Sequence, residues 1–309
     1  MKKIFLLALV PALMFSFAGC KKETEETPDD NTGGGSLTVE NKQRSMLAYV
    51  TATWCGPCGS AGGPTFKAAV ASKGTSEIIP LNIQTSNSRL TPIFKKPGVE
   101  SQDSVFIAPI YGALLSNLNI PVDNNGSFSI PAFSMNNSYL GTSNTTSAVI
   151  TDRANSFNAN SPVLGVAANK SVNGNTITVN AKSKFFKEGN GEYFWSALIL
   201  EKSVNGYQKV GGTDVNDYEH KYNIRASMQN GELNNQSVFG SSAFATGTVA
   251  NGTEFSKTFT LNYINHHAAS NPNFGLVPWN LNASNTAVAV IVWKKNGAKY
   301  EYVNGFVAE

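Results

Sequence analysis

Charge is scarce in this 309-residue chain: charged residues make up 15%, against roughly 25% in an average soluble protein. That excludes a coiled coil laced with ion pairs and a disordered chain held open by its own charge. Neither sign dominates, since Lys+Arg 24 against Asp+Glu 21 gives a net charge of +3. No strongly basic face is implied, which argues against nucleic acid as a partner. Three Cys and three His leave few routes to a metal site, and no metal or other bound cofactor is expected. What is plentiful is Asn, Ser, Thr and Gly, with hydrophobic residues at 41%. That mix favours short strands joined by polar turns. At about 150 residues per domain, the length suggests two domains.

Lys2 and Lys3 precede an apolar run from Ile4 to Ala18. The run is too short for a bilayer core of ~30 Å, which needs about 20 helical residues, and it suits a signal peptide over residues 1–19. It ends Phe17-Ala18-Gly19-Cys20. Small residues before a Cys resemble the bacterial lipobox, which implies lipidation of Cys20 and a membrane anchor in the cell envelope. Phe17 departs from the aliphatic residue usual there, and an ordinary secretory peptide is the alternative. Residues 21–36 read KKETEETPDDNTGGGS. Without an aliphatic or aromatic side chain this stretch cannot bury enough to fold, so 20–36 is expected to be a disordered acidic, Gly-rich tether. Its acids read either as a solvated spacer or as a run similar to the surface-export signal of some outer-membrane lipoproteins.

Ser45 to Thr51 is a buried-strand candidate. It leads through Ala52 and Thr53 into Trp54-Cys55-Gly56-Pro57-Cys58. A zinc ribbon would need a second Cys pair, and haem attachment would need His where Gly59 stands. A purely structural disulfide stays open. The sequence WCGPC resembles the redox motif of the thioredoxin superfamily. The resemblance implies a thioredoxin-like α/β domain over residues 37–160. Both sulfurs would sit at the start of one helix, whose unpaired N–H groups and dipole favour a thiolate. Cys55 would be the exposed nucleophile and Cys58 the resolving thiol. Trp54 would cover the sulfurs, and Pro57 would stiffen the turn. The superfamily also sets a cis-proline opposite the motif. Ser129-Ile130-Pro131-Ala132-Phe133 fits that place, with Pro80, Pro109 and Pro121 as rivals for Pro131. The long gap between Cys58 and Pro131 implies an insertion over about 85–128, with helix-like apolar spacing from Val105 to Leu118.

Glu77 to Gln84 reads as a second strand, and Ser147 to Phe157 as a closing helix with Val149, Ile150, Arg153 and Phe157 in its core and rim. Two features depart from thioredoxin. Tyr49 stands where that family has a buried acid, six residues before the first Cys. The segment Gly59-Ser60-Ala61-Gly62-Gly63-Pro64 is poor in helix formers. A late or frayed helix start there would weaken the dipole at Cys55, so modest or client-restricted activity is expected.

From residue 161 the pattern turns to period-2 runs with hairpin signals at Asn173-Gly174 and Asn296-Gly297. The expectation is an all-β antiparallel sandwich, Ig-like or jelly-roll, over residues 161–309. His220, His266 and His267 read as surface or packing residues, and Trp195, Trp279 and Trp293 as core. The two halves together resemble, over most of the mature chain, a lipoprotein family named after a twenty-eight-kilodalton outer-membrane protein, through Cys20, the WCGPC motif and the late His220 with Ile224-Arg225. Together the resemblances imply a lipid-anchored thiol-disulfide oxidoreductase on the periplasmic or surface face of the envelope. Its partners would be protein thiols and disulfides, with a membrane reductant as a further candidate. The alternatives are a binding or adhesion lipoprotein whose front half is scaffold, and an assembly component of an envelope complex.

Overall fold

The computed structural model describes residues 37–85, 110–124, 126–229, 238–262 and 283–309. The signal peptide, Cys20, the tether, the larger part of the 85–128 insertion, Pro109, Trp279, His266 and His267 lie outside these residues.

Among the described residues, thirteen strands form. In the front half they are β1 (Ser45–Thr51), β2 (Ile78–Gln84), β3 (Ala132–Met135) and β4 (Ser138–Gly141). In the back half they are β5 (Leu164–Asn173), β6 (Thr176–Phe185), β7 (Gly189–Asn190), β8 (Tyr193–Val210), β9 (Thr213–Ser227), β10 (Thr248–Val249), β11 (Glu254–Asn262), β12 (Thr286–Asn296) and β13 (Lys299–Ala308). Eight of them make one mixed sheet in the order β13-β12-β8-β9-β2-β1-β3-β4. β1 and β2 are parallel, in register from Ser45–Ile78 to Thr51–Gln84. β3 runs antiparallel to β1, and β8 antiparallel to both β9 and β12.

This sheet overturns the expected fold class, a thioredoxin-like α/β domain followed by an all-β antiparallel sandwich. Among the described residues strands outweigh helices, and before β2 only one α-helix, Gly63–Lys73, is present. Strands from both halves share the sheet, so no sheet boundary falls near residue 160. The physical reason lies at β2. Its outer edge would leave backbone groups unpaired, and β9 takes that edge through the parallel pair Asn82–Asn223.

Period-2 alternation explains the packing. In β8, Tyr193, Trp195, Ala197 and Ile199 face a core shared with β5, β6 and β11, which form a separate three-stranded sheet. Leu198 and Leu200 face the other way, toward Ile110, Leu114 and Leu118. A strand covered on both faces reads as a continuous apolar run, as Tyr193 to Leu200 does. In β1, Met46, Ala48 and Val50 join that second core, while Leu47 and Tyr49 meet Phe66, Ala69 and Val70 from one helix and Ile150 and Ala154 from another. The latter helix spans Ser147–Asn158, and the Thr146 hydroxyl caps it by accepting the Val149 N–H. Its buried stripe is centred on Ile150 and Ala154, four residues apart, which leaves Val149 46% exposed and outside the core. Hairpin turns place Gly174 and Gly297 at φ 55° and 60°.

Candidate active site

β1 ends at Thr51, and the chain turns through Thr53 and Trp54 into a continuous helical run from Gly56 to Lys73. Its first part, Cys58–Gly62, is a π-helical turn. Cys55 therefore sits directly before a helix that starts on time, which corrects the expected late or frayed start. Burial of the glycine-rich stretch, described below, replaces the missing intrinsic propensity.

Cys55 and Cys58 form a disulfide with Cα atoms 5.2 Å apart. The Cys58 N–H donates to Cys55 Sγ at 3.2 Å. The Cys58 and Gly59 N–H groups also reach the Cys55 carbonyl, at 3.1 and 3.2 Å. Once the disulfide is reduced, the Cys58 N–H directed at Cys55 Sγ favours its thiolate. Opposing it is the Ile130 carbonyl oxygen, 3.8 Å from Cys55 Sγ, which can accept from the thiol. The Ile130–Pro131 peptide bond is cis, and Ile130 and Trp54 pack on Ala52, Cys55 and Cys58. Pro57 caps the π-helical turn and is exposed. Of the rival prolines, Pro80 pairs with Leu47 within the sheet and Pro121 lies on an exposed stretch. One expectation fails at the nucleophile: Cys55 is 5% exposed and Cys58 0%.

Beneath the motif, Tyr49 replaces the expected carboxylate with a different kind of support. Its ring stacks between Phe66 and Phe133, 5.2 Å from each. Its hydroxyl donates to the Cys58 carbonyl at 3.0 Å. Burial pushes the phenol far above its usual range, so it stays protonated and is no base at neutral pH.

The backbone around the motif is held by a segment from the other end of the sequence. Beyond the sheet, β8 and β9 continue as a two-stranded arm, Ser203 to Glu219. The arm folds over the motif. The Lys209 N–H donates to the Thr53 carbonyl at 2.7 Å, and the Gly211 N–H to the Gly56 carbonyl at 3.0 Å. The Gln208 amide nitrogen reaches the carbonyls of Ala52, Cys55 and Lys209 at 3.2, 3.0 and 3.0 Å. Tyr218 leans on the helix, with the Lys67 ammonium 4.6 Å from its ring centre. Two glycines make the close approach feasible. A Cβ on Gly56 would collide with the Gly211 carbonyl oxygen, and one on Gly59 with the Lys209 carbonyl oxygen. The stretch that looked like a weak helix start is a docking face. Glycines at 56, 59 and 63, spaced for one side of a helix, were the signal for it.

His220 lies at the root of this arm, 3% exposed, beside a small cleft that Tyr49, Asn82, Gln208 and Tyr218 also line. Among the described residues no group of three or more His, Cys, Asp and Glu is placed to hold a metal. Trp195 and Trp293 are core residues, 3% and 0% exposed.

No known family profile and no curated protein matches the chain. Among solved structures, the chain is similar in fold to HBP35 of Porphyromonas gingivalis, with a TM-score of 0.57 and 15% identity over 87% of this chain and 76% of that one. A protein from Archaeoglobus fulgidus aligns with 46% of this chain and 89% of its own at 14% identity, but its TM-score of 0.18 carries no argument.

Proposed function

We propose that the protein is a thiol-disulfide oxidoreductase acting on protein disulfides through Cys55 and Cys58, held in the bacterial cell envelope by a lipid on Cys20. The observation that carries the reading is the Cys55–Cys58 disulfide at a helix N-terminus, with the Cys58 N–H directed at Cys55 Sγ. In the reducing direction the Cys55 thiolate attacks a client disulfide. A Cys55–client bond forms and one client sulfur leaves as thiolate. Cys58, losing its proton, then attacks Cys55 Sγ, re-forms the intramolecular disulfide and releases the second client thiolate. Two electrons pass to the client, and a separate dithiol reductant, for which a membrane protein is a candidate, returns the enzyme to the dithiol state. The oxidising direction is the same sequence reversed.

A second reading has its own support. Cys55 and Cys58 are nearly inaccessible, as a structural disulfide in a binding or adhesion lipoprotein would be. The two readings part at Cys58→Ala. Under the enzyme reading this variant accumulates mixed disulfides through Cys55 in intact cells, and Cys55→Ala accumulates none. If Cys58→Ala traps no client, and Cys55 in the reduced protein titrates at or above the free value of about 8.5, the binding reading replaces the enzyme reading.

A further inference from the structure

We infer that the β8–β9 arm is a gate: a strap from the back half of the chain that shields the Cys55–Cys58 disulfide and has to lift before either sulfur can exchange. Its use in selecting clients rests on the oxidoreductase reading; the shielding itself does not.

Three observations combine. First, the cysteines are closed off, Cys55 5% and Cys58 0% exposed, with Trp54 and Ile130 packed on them and the strap bonded to the backbone on both sides of Cys55. Exchange needs an incoming nucleophile to reach a sulfur along the S–S axis, so the closed arrangement resists it. Second, the strap is built to move. β12 pairs with β8 only from Tyr193 to Glu201, and β2 meets β9 only at Asn82–Asn223. Beyond these points no third strand among the described residues pairs with the ribbon, although Ser203 exchanges hydrogen bonds with Asn285 at its base, and a two-stranded ribbon on its own is marginally stable in water. The register of the ribbon shifts between Gly206 and Gln208, a break part-way along the arm where bending is easiest. The tip, Gly211 to Asp214, is exposed. Third, few bonds hold it shut. Among the described residues they include the Lys209 and Gly211 N–H groups on the Thr53 and Gly56 carbonyls, the Gln208 amide on the Ala52 and Cys55 carbonyls, Tyr218 against Gly59 and Lys67, and the Lys67 ammonium on the Glu219 carbonyl. All of these partners but Lys67 lie in or beside the motif, so whatever displaces the strap also frees the backbone on which Cys55 sits. A client that competes for the Thr53 and Gly56 carbonyls would open the gate as it binds. A small thiol, which offers no backbone donors, would not.

The test is reduction of the oxidised full-length protein by a water-soluble phosphine, with the freed thiols counted after alkylation. The phosphine takes one oxygen from water and the disulfide takes two electrons and two protons, so no client or partner is needed. The wild-type disulfide should be reduced at least about a hundredfold more slowly than in the same protein unfolded by guanidinium. Gln208→Ala, which loosens the strap from its own side, should speed reduction of the folded protein about tenfold, the effect of losing a well-placed buried amide on an opening equilibrium. Gly59→Ala, which wedges the strap off from the motif side, should act in the same direction. Rates for folded wild type within a few-fold of the unfolded protein overturn the proposal, as do unchanged rates in Gln208→Ala. Either result would mean that the sulfurs are reached past Trp54 and Ile130 with the strap in place. Because the first comparison uses wild type alone, a variant that fails to fold does not rescue the idea. Failure to trap a client with Cys58→Ala would sink the enzyme reading and leave this measurement unaffected.

Discussion

Acidification should destabilise the protein through His220. Its Nε2 lies 3.3 Å from the Tyr207 carbonyl, which can only accept, so Nε2 carries the hydrogen of the neutral ring. Burial pushes the pKa from 6.5 down to about 4. The bond to Tyr207 opposes that fall, and the positive charges of Lys67 and Arg225 add to it. Between these two values the unfolded chain binds a proton that the folded one refuses. The contribution is therefore complete above about pH 6.5 and is lost as the pH falls through about 4. At about 1.36 kcal/mol per pH unit, a fall from 6.5 to about 4 amounts to about 3 kcal/mol, a large share of a typical stability. Urea unfolding followed by circular dichroism across this window would measure it. The comparison is His220→Gln, which keeps an N–H for Tyr207 but does not titrate. Wild type should lose about 3 kcal/mol more than the variant between the ends of the window. His266 and His267 are common to both and cancel. Parallel stability curves would refute the reasoning, since they would mean that the ring accepts a proton in the folded state at no cost.

Tyr49→Phe keeps the stack with Phe66 and Phe133 but removes the donor to the buried Cys58 carbonyl, so urea unfolding should show a loss of about 1–2 kcal/mol. The pH profile of Cys55 alkylation in the reduced protein should stay where it is in wild type, because the phenol is protonated throughout that range; a displaced profile would make Tyr49 part of the thiol chemistry. Cys20→Ala should move the protein from the membrane fraction to the soluble fraction, and a mature N-terminus without lipid by mass spectrometry would remove the anchor.

Elements specified by local sequence were legible. Ser45–Thr51 and Ile78–Gln84 are apolar runs bounded by breakers, and the residues read as strands became β1 and β2. Asn173-Gly174 and Asn296-Gly297 closed hairpins because glycine tolerates the positive φ that such turns require. The closing helix, read from Ser147, follows a capping Thr146. What local sequence does not carry is the choice of partner. Alternation shows that a strand has two faces, but not that β9 would extend the front-half sheet through Asn82 and Asn223. For the same reason Cys55 was expected on the surface: nothing in WCGPC points to an arm arriving from residue 203 onward. The glycines at 56 and 59 held the missing information in ambiguous form. Low helix propensity and tight packing call for the same residue, and only the neighbour decides which applies.

The site is thus composite, built from residues on both sides of position 160. Residues 37–160 by themselves would leave the outer edge of β2 unpaired and expose the glycine face of the helix start. They would also strip the Ala52 and Cys55 carbonyls of the Gln208 amide. In the folded chain, a residue more than 150 positions away in sequence steadies the backbone on both sides of Thr53 and Trp54, where the motif leaves β1. The geometry of Cys55 therefore depends on β8 and β9 being in place. Under the proposed oxidoreductase reading, the restriction on clients lies within the fold itself. The apposition that holds the cysteine pair at the head of its helix also covers it, so firm positioning and free access oppose one another. Loosening the strap to admit more clients would also loosen the backbone that aims the Cys58 N–H at Cys55.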